Sequence, residues 1–404
     1  MKTVIMLGAD LIQGFYTARP SPEVITAIPY EIRAQIRVYK DEREHGRRLK
    51  IYQAAHGETV QLDKLTKEGY SRIVIGSDYG DGNITISGTP YLDTDIHIEV
   101  AEGFCGSLTL HNAHLSNDAH RPCINFNDKC RCTLIIMGDN RLENSGIKVH
   151  EGASLRIEGN GLLEIELGNA DYYGIGNDTE SHHGALVFSH NALIRVKSTS
   201  HSGVCIGSGL GGPITIESGE YELEAHGSNG VCLGSLDGDI EINLTNCDFQ
   251  AKAAGASSTV IGSLFGNAKI DLSRSSIRIY GYSQVLAAVG SVKGISDVKF
   301  ENASVSIHSN GKEMTALGSL YNDCSVRIEC CTFRAYCDGT NALVVGGLEG
   351  RTRFNITNAD VGFELTSQLG VCTYAADEDI EVYGKLLVTV DGTQHEGMVN
   401  KRAT

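Results

Sequence analysis

The chain has 404 residues, 41% of them hydrophobic and 21% charged, enough apolar material for a substantial core and too much for wholesale disorder. A formal net charge of −16 excludes a general nucleic-acid or anionic-membrane surface, which needs clustered Lys and Arg. The 47 glycines, set against 6 prolines and no tryptophan, predict many tight corners between short strands.

Residues 1–50 differ in character from the rest. VIMLGADLIQGFY reads as a strand-like apolar run and TARPSPEV as a turn; the stretch carrying Ile32, Ile36 and Tyr39 reads as partly helical with a charged end. Asp10 and Gln13 interrupt the first apolar run, and no small-residue cleavage site follows, so the opening does not read as a secretory signal. No run reaches the roughly 18 apolar residues of a membrane span. The expected compartment is the cytosol, and the expected state of the twelve cysteines is the free thiol, since none makes a CxxC pair.

LGADLIQGFYTARPSPE, residues 7–23, resembles the C-terminal end of the EAL domain, the TIM-barrel phosphodiesterase that hydrolyses cyclic di-GMP. That family ends on an Asp-x-x-Gln-Gly-Phe/Tyr segment with a nearby Pro, matched here by Asp10, Gln13, Gly14, Phe15 and Pro20. The resemblance implies a remnant of a cyclic di-GMP signalling protein, in which Gln13 alone maps onto a pocket position. The family's Glu-Ala-Leu signature, Asp-Asp metal motif and catalytic Lys have no counterpart in this chain. The later GVxIGSG-type repeats resemble solenoid regions found after such domains and often labelled carbohydrate-binding.

From residue 51 to about 170 the chain reads as a cap followed by irregular first coils. RIVIGS, NITISG, IHIEV, SLTLHNAHL, CTLIIMGDN, SLRIEGNG and LLEIEL all alternate as half-buried strands do. The segment before residue 66 is the natural cap for an otherwise open edge.

Residues 171–392 carry the regular repeat. GVCIGSGLG, GVCLGSLDG, STVIGSLFG, LAAVGSVKG, MTALGSLYN and ALVVGGLEG centre on Gly207, Gly234, Gly262, Gly290, Gly318 and Gly346, a stride of 27 and then 28 residues. Columns at that stride stay chemically uniform: Ile242, Ile270, Val298, Val326, Phe354; Leu244, Leu272, Phe300, Ile328, Ile356; Phe249, Ile277, Val305, Phe333, Val361. Stacked like residues in period-two strands predict an all-β chain, a single-stranded parallel β-helix with about 28 residues per coil. Right-handed coiling follows the usual crossover rule. A propeller blade needs four antiparallel strands in roughly 40–45 residues, so the period is too short for one.

The repeat makes further expectations. The corner glycines mark a place where no side chain fits or φ is positive, and Ser208, Ser235, Ser263, Ser291 and Ser319 after them form a ladder able to bond from coil to coil. Cys205, Cys232 and Cys372 share a column with Val260, Ala288, Ala316 and Val344, and Cys247 and Cys331 share one with Ser275, Ala303 and Ala359, so these cysteines act as compact apolar fillers. Residues 393–404 form a polar tail expected to leave the last coil and fray.

No complete catalytic site is present, and no cofactor is expected. Two acidic clusters, Asp237 with Asp239 and Asp377, Glu378, Asp379, are the places where a carbohydrate-active β-helix enzyme would hold its paired carboxylates. Asp178 and His182 are candidate metal ligands in a polar loop. The outward column Lys252, Tyr280, His308, Tyr336, with Arg278 and Arg334 beside it, offers cations and rings to a glycan or a protein ligand on an exposed sheet face. The leading reading is a non-catalytic ligand- or partner-binding module; a lyase or glycoside hydrolase and a scaffold that self-associates through its coil ends are the alternatives. No nucleic-acid or membrane partner is expected.

Overall fold

The computed structural model describes residues 50–76, 82–118, 120–168 and 173–396. Residues 1–49, with Gln13 and the segment resembling the phosphodiesterase end, lie outside the described residues, as do residues 397–404.

The strands stack into a parallel β-helix of about 11 turns, roughly 28 residues apart, with 2% helix. Each regular turn contributes to three parallel ladders. A short strand such as Ile240–Thr245 lies in the first; the following long strand, such as Cys247–Ser263, bends to serve the second with its opening half and the third with its closing half.

Register is set by the apolar columns. Ile242 pairs with Ile270, then Val298, Val326 and Phe354; Leu244 pairs with Leu272, Phe300, Ile328 and Ile356. Slipping one residue would turn every one of these side chains to water, which is why the stride is held. The third ladder runs through Ile73, Ile98, Ile124, Ile147, Ile175, Ile206, Leu233, Ile261, Val289, Leu317 and Val345. All of them are fully buried, each contributing about 1.5–3 kcal/mol of hydrophobic stabilisation. Early strides are uneven, so this column is invisible to a fixed period, yet the same spine continues.

The glycine corners have two causes at once. Gly262 has φ +134°, and a Cβ there would lie 1.9 Å from the Gly290 carbonyl oxygen of the next coil. Of the five serines after the glycines, Ser208 and Ser235 donate to the Gly211 and Gly238 carbonyls of their own turns, while the other three bond between coils, to turn backbone and not to one another. Ser263, Ser291 and Ser319 donate to the carbonyls of Gly238, Gly266 and Gly294, at 2.9, 2.8 and 2.7 Å. Ser263 and Ser291 also accept from the Gly266 and Gly294 amides of their own turns.

Beyond each serine the chain folds back over the rod. Leu236, Leu264, Val292 and Leu320 cover Val204, Val231 and Ala287, forming a second apolar cluster outside the main core. The third ladder is therefore buried on both faces in this region.

At the first end, Ile51–Ala54 pairs with Arg72–Ile75, and the short helix Leu62–Lys67 buries Leu62 and Leu65 against the core. The expected cap thus also supplies a rung. At the other end the tail departs from expectation. Thr393–Glu396 turns back antiparallel onto Leu387–Val390 through the two-residue turn Asp391–Gly392, both at positive φ. An Asp-Gly pair between strands is the turn that matches strand twist, and here it shields half of an open edge.

All twelve cysteines are free, ten of them buried. Burial pushes the Cys123 and Cys247 thiols up to about 11, consistent with inert packing groups. Among the described residues no helix is long and apolar enough to cross a membrane.

Candidate functional site

The outer face of the second ladder changes character along the rod. In its first half this face carries paired ions. Arg195 bonds Glu164 at 3.1 Å and Glu222 at 2.7 Å, and Arg141 bonds Glu143 at 2.9 Å and Glu166 at 3.2 Å. The column Arg141, Glu164, Arg195, Glu222 alternates in sign from coil to coil, whereas Glu143 and Glu166, directly opposed, share Arg141.

From Lys252 onward the column turns aromatic. Lys252, Tyr280, His308 and Tyr336 pair in direct succession. Tyr280 and His308 stack at 5.6 Å between centroids with planes 16° apart; His308 and Tyr336 follow at 6.0 Å and 32°. The parallel ladder holds each ring over the next, so inner ring faces cover each other while the polar edges project to water.

Among the described residues, the Lys252 ammonium, the His308 imidazole and the Tyr280, Tyr282 and Tyr336 hydroxyls make no hydrogen bond or ion pair. The Lys252 ammonium leans 6.0 Å from the Tyr282 ring. The two arginines beside the column are engaged within the face. Arg278 is held by Asp248 at 2.9 Å and Arg334 by Asp360 at 3.1 Å, each within the same face. The hydrogen bond from Arg334 holds the Asp360 carboxyl below its ordinary range.

Two open depressions flank this ridge. One of about 660 Å³ lies over Ala254 between His226 and Tyr282, bordered by Glu222, Glu224, Lys252 and Tyr280. The other, about 310 Å³, is bordered by His308, Arg334, Tyr336, Asp360, Glu364 and Leu387. Tyr282 and His226 escaped the sequence reading, although Tyr282 stands two residues from Tyr280 and so shares its face by strand alternation.

One carboxylate of each acidic cluster is engaged elsewhere. Asp239 accepts from the Asn267 amide at 2.8 Å and from its side chain at 3.2 Å. The same turn position repeats the bond: Asn267 accepts from the Ile295 amide and Asp323 from the Arg351 amide. Asp379 takes a two-pronged bond from Arg351, both contacts 2.7 Å, on the 3-10 turn Asp377–Asp379. Asp237 projects from its turn into water.

The proposed metal ligands are not gathered. Asp178 pairs with Lys148 at 3.4 Å and accepts from the Glu180 amide. Burial alone would raise its carboxyl, but hydrogen bonding from Ser181 and the Lys148 charge carry it below the ordinary value. His182 is exposed, whereas the neighbouring His183 is buried with Nδ1 2.7 Å from the Gly184 carbonyl. Among the described residues no three His, Cys, Asp or Glu side chains converge as a metal site.

Comparison of the chain with protein-family models, with curated proteins and with solved structures finds no match.

Proposed function

We propose that the chain is a non-catalytic recognition module of a cytosolic cyclic di-GMP signalling protein, binding a glycan or protein ligand along the second-ladder face from Lys252 to Tyr336. The observation that carries this reading is the set of unpartnered polar ends on the stacked ridge, beside two depressions. Mixed donors, acceptors and phenol edges suit a ligand rich in hydroxyls or amides. The non-catalytic part is supported by Asp239 and Asp379, whose carboxylates are spent on turn backbone and on Arg351. The signalling context rests on the resemblance at Asp10, Gln13, Gly14, Phe15 and Pro20.

The test is calorimetric titration of the full chain against a panel of soluble polysaccharides and peptides. Saturable binding weakened about tenfold or more by Tyr280→Ala with Tyr336→Ala is expected. Binding indifferent to that pair would refute the assigned face. Sugar release from the same panel, lost on Asp237→Asn or Asp377→Asn, would refute the non-catalytic reading.

A further inference from the structure

Parallel β-helices present the same hazard at each end: a strand with one side of its backbone unpaired and an apolar core beneath it. In the last rung, Ile380–Val390, the two halves are treated differently. Leu387–Val390 is covered by Thr393–Glu396, whereas among the described residues Ile380–Tyr383 pairs only with Phe354–Thr357 behind it. Here the core is open. Val382 continues the inward column of Ile356, which is 0% exposed, yet Val382 is 36% exposed, and Tyr383 beside it is 66% exposed.

We propose that this edge is a homotypic docking surface, on which two copies of the chain join tail to tail by antiparallel pairing of Ile380–Gly384 about a two-fold axis through Val382. The pleat limits the possible registers, because directly opposed residues must point to the same side. Centred on Val382, the inward positions oppose Val382 to Val382 and Ile380 to Gly384, closing both cores against each other. Outside, the Glu381 carboxylate faces the Tyr383 hydroxyl. Centring on Glu381 would oppose two carboxylates. Centring on Tyr383 would call on Lys385, which lies in the second ladder with its ammonium 3.7 Å from Asp360. The favoured register thus sets apolar against apolar and donor against acceptor, the complementarity that selects a second copy as the occupant. A two-fold contact of this kind is closed, so assembly stops at two. Each copy carries a net charge of −16, so salt strengthens the association by screening.

Sedimentation velocity on the full chain, from low to high micromolar at low and high salt, reads the outcome. The expected result is a shift from one chain mass, 43.4 kDa, to twice that, favoured by salt, and lost in Val382→Lys. Tyr383→Glu, at a side chain already largely in water, sets a carboxylate against Glu381 at both ends of the pairing; it serves as a second edge variant should Val382→Lys not fold, and is expected to remain monomeric. A single species of one chain mass throughout would overturn the proposal. So would a dimer untouched by both variants, or growth beyond two copies. Dimerisation that begins only when residues 397–404 are removed would also overturn it, since the chain's own end would then be the native occupant.

Discussion

Corner residues between the first and second ladders repeat a conformation that the side chains meet unequally. Asn246, Arg274, Asn302, Cys330 and Asn358 occupy one column, all with φ between 48° and 52°. Asparagine tolerates the left-handed region because its short amide bonds locally; arginine and cysteine have no such compensation and carry a cost of about 1 kcal/mol. Cys330→Asn is therefore expected to stabilise the fold by about 1 kcal/mol, seen as a higher denaturation midpoint. An unchanged or lower midpoint would mean the corner is already relaxed. The signal was present in the sequence as Asn at positions 246, 302 and 358, yet an asparagine recurring every second coil is easily lost beside the stronger glycine repeat.

Elements are tied along the rod by polar ladders as well as by apolar columns. Ser291 shows how: its hydroxyl donates to the Gly266 carbonyl of the preceding coil and accepts from the Gly294 amide of its own turn, at 2.8 and 2.7 Å, with the side chain fully buried. Removing it orphans two buried backbone groups. Ser291→Ala should cost about 2 kcal/mol, whereas an exposed serine such as Ser276 changed to alanine should cost little. Equal unfolding curves for the two variants would contradict the ladder's role. The sequence reading located this stack and its capacity to bond between coils, but not its acceptor. A turn carbonyl that closes on the serine from 25 residues earlier has no signature in side-chain type.

On the scale of the whole molecule, burial fixes the charge state of several histidines. Burial, with help from the Arg72 charge, lowers His97 to about 3, and burial lowers His183 and His190 to about 4. For His190 the network agrees: the Ala192 amide donates to Nδ1, so Nε2 carries the proton and donates to the Tyr221 oxygen, whose hydroxyl donates to the Ser218 carbonyl. The unfolded chain protonates such rings near pH 6.5 and the folded chain only near 4 or below, so the unfolded state holds more protons in between. Stability must fall as pH drops through that window, by about 2 kcal/mol per ring at pH 5. Urea midpoints compared at pH 7 and pH 5 check this; a flat profile would mean that the rings are more hydrated than their packing indicates.

The sequence by itself determined the stride, the parallel stacking, the alternation of faces and the membership of each column from about Gly207 to Val361, including the succession Lys252, Tyr280, His308, Tyr336. It could do so because a parallel ladder places each residue beside its counterpart one coil away, so local periodicity and long-range contact carry the same information. Only the tertiary structure decided which outward groups remain unpartnered, that Arg278 and Arg334 are held by Asp248 and Asp360, that the turns fold back to bury the third ladder's outer face, and that the spine continues through the uneven coils to Ile73. Those outcomes depend on where side-chain ends and turn backbones meet in space, and such distances are not a function of spacing along the chain.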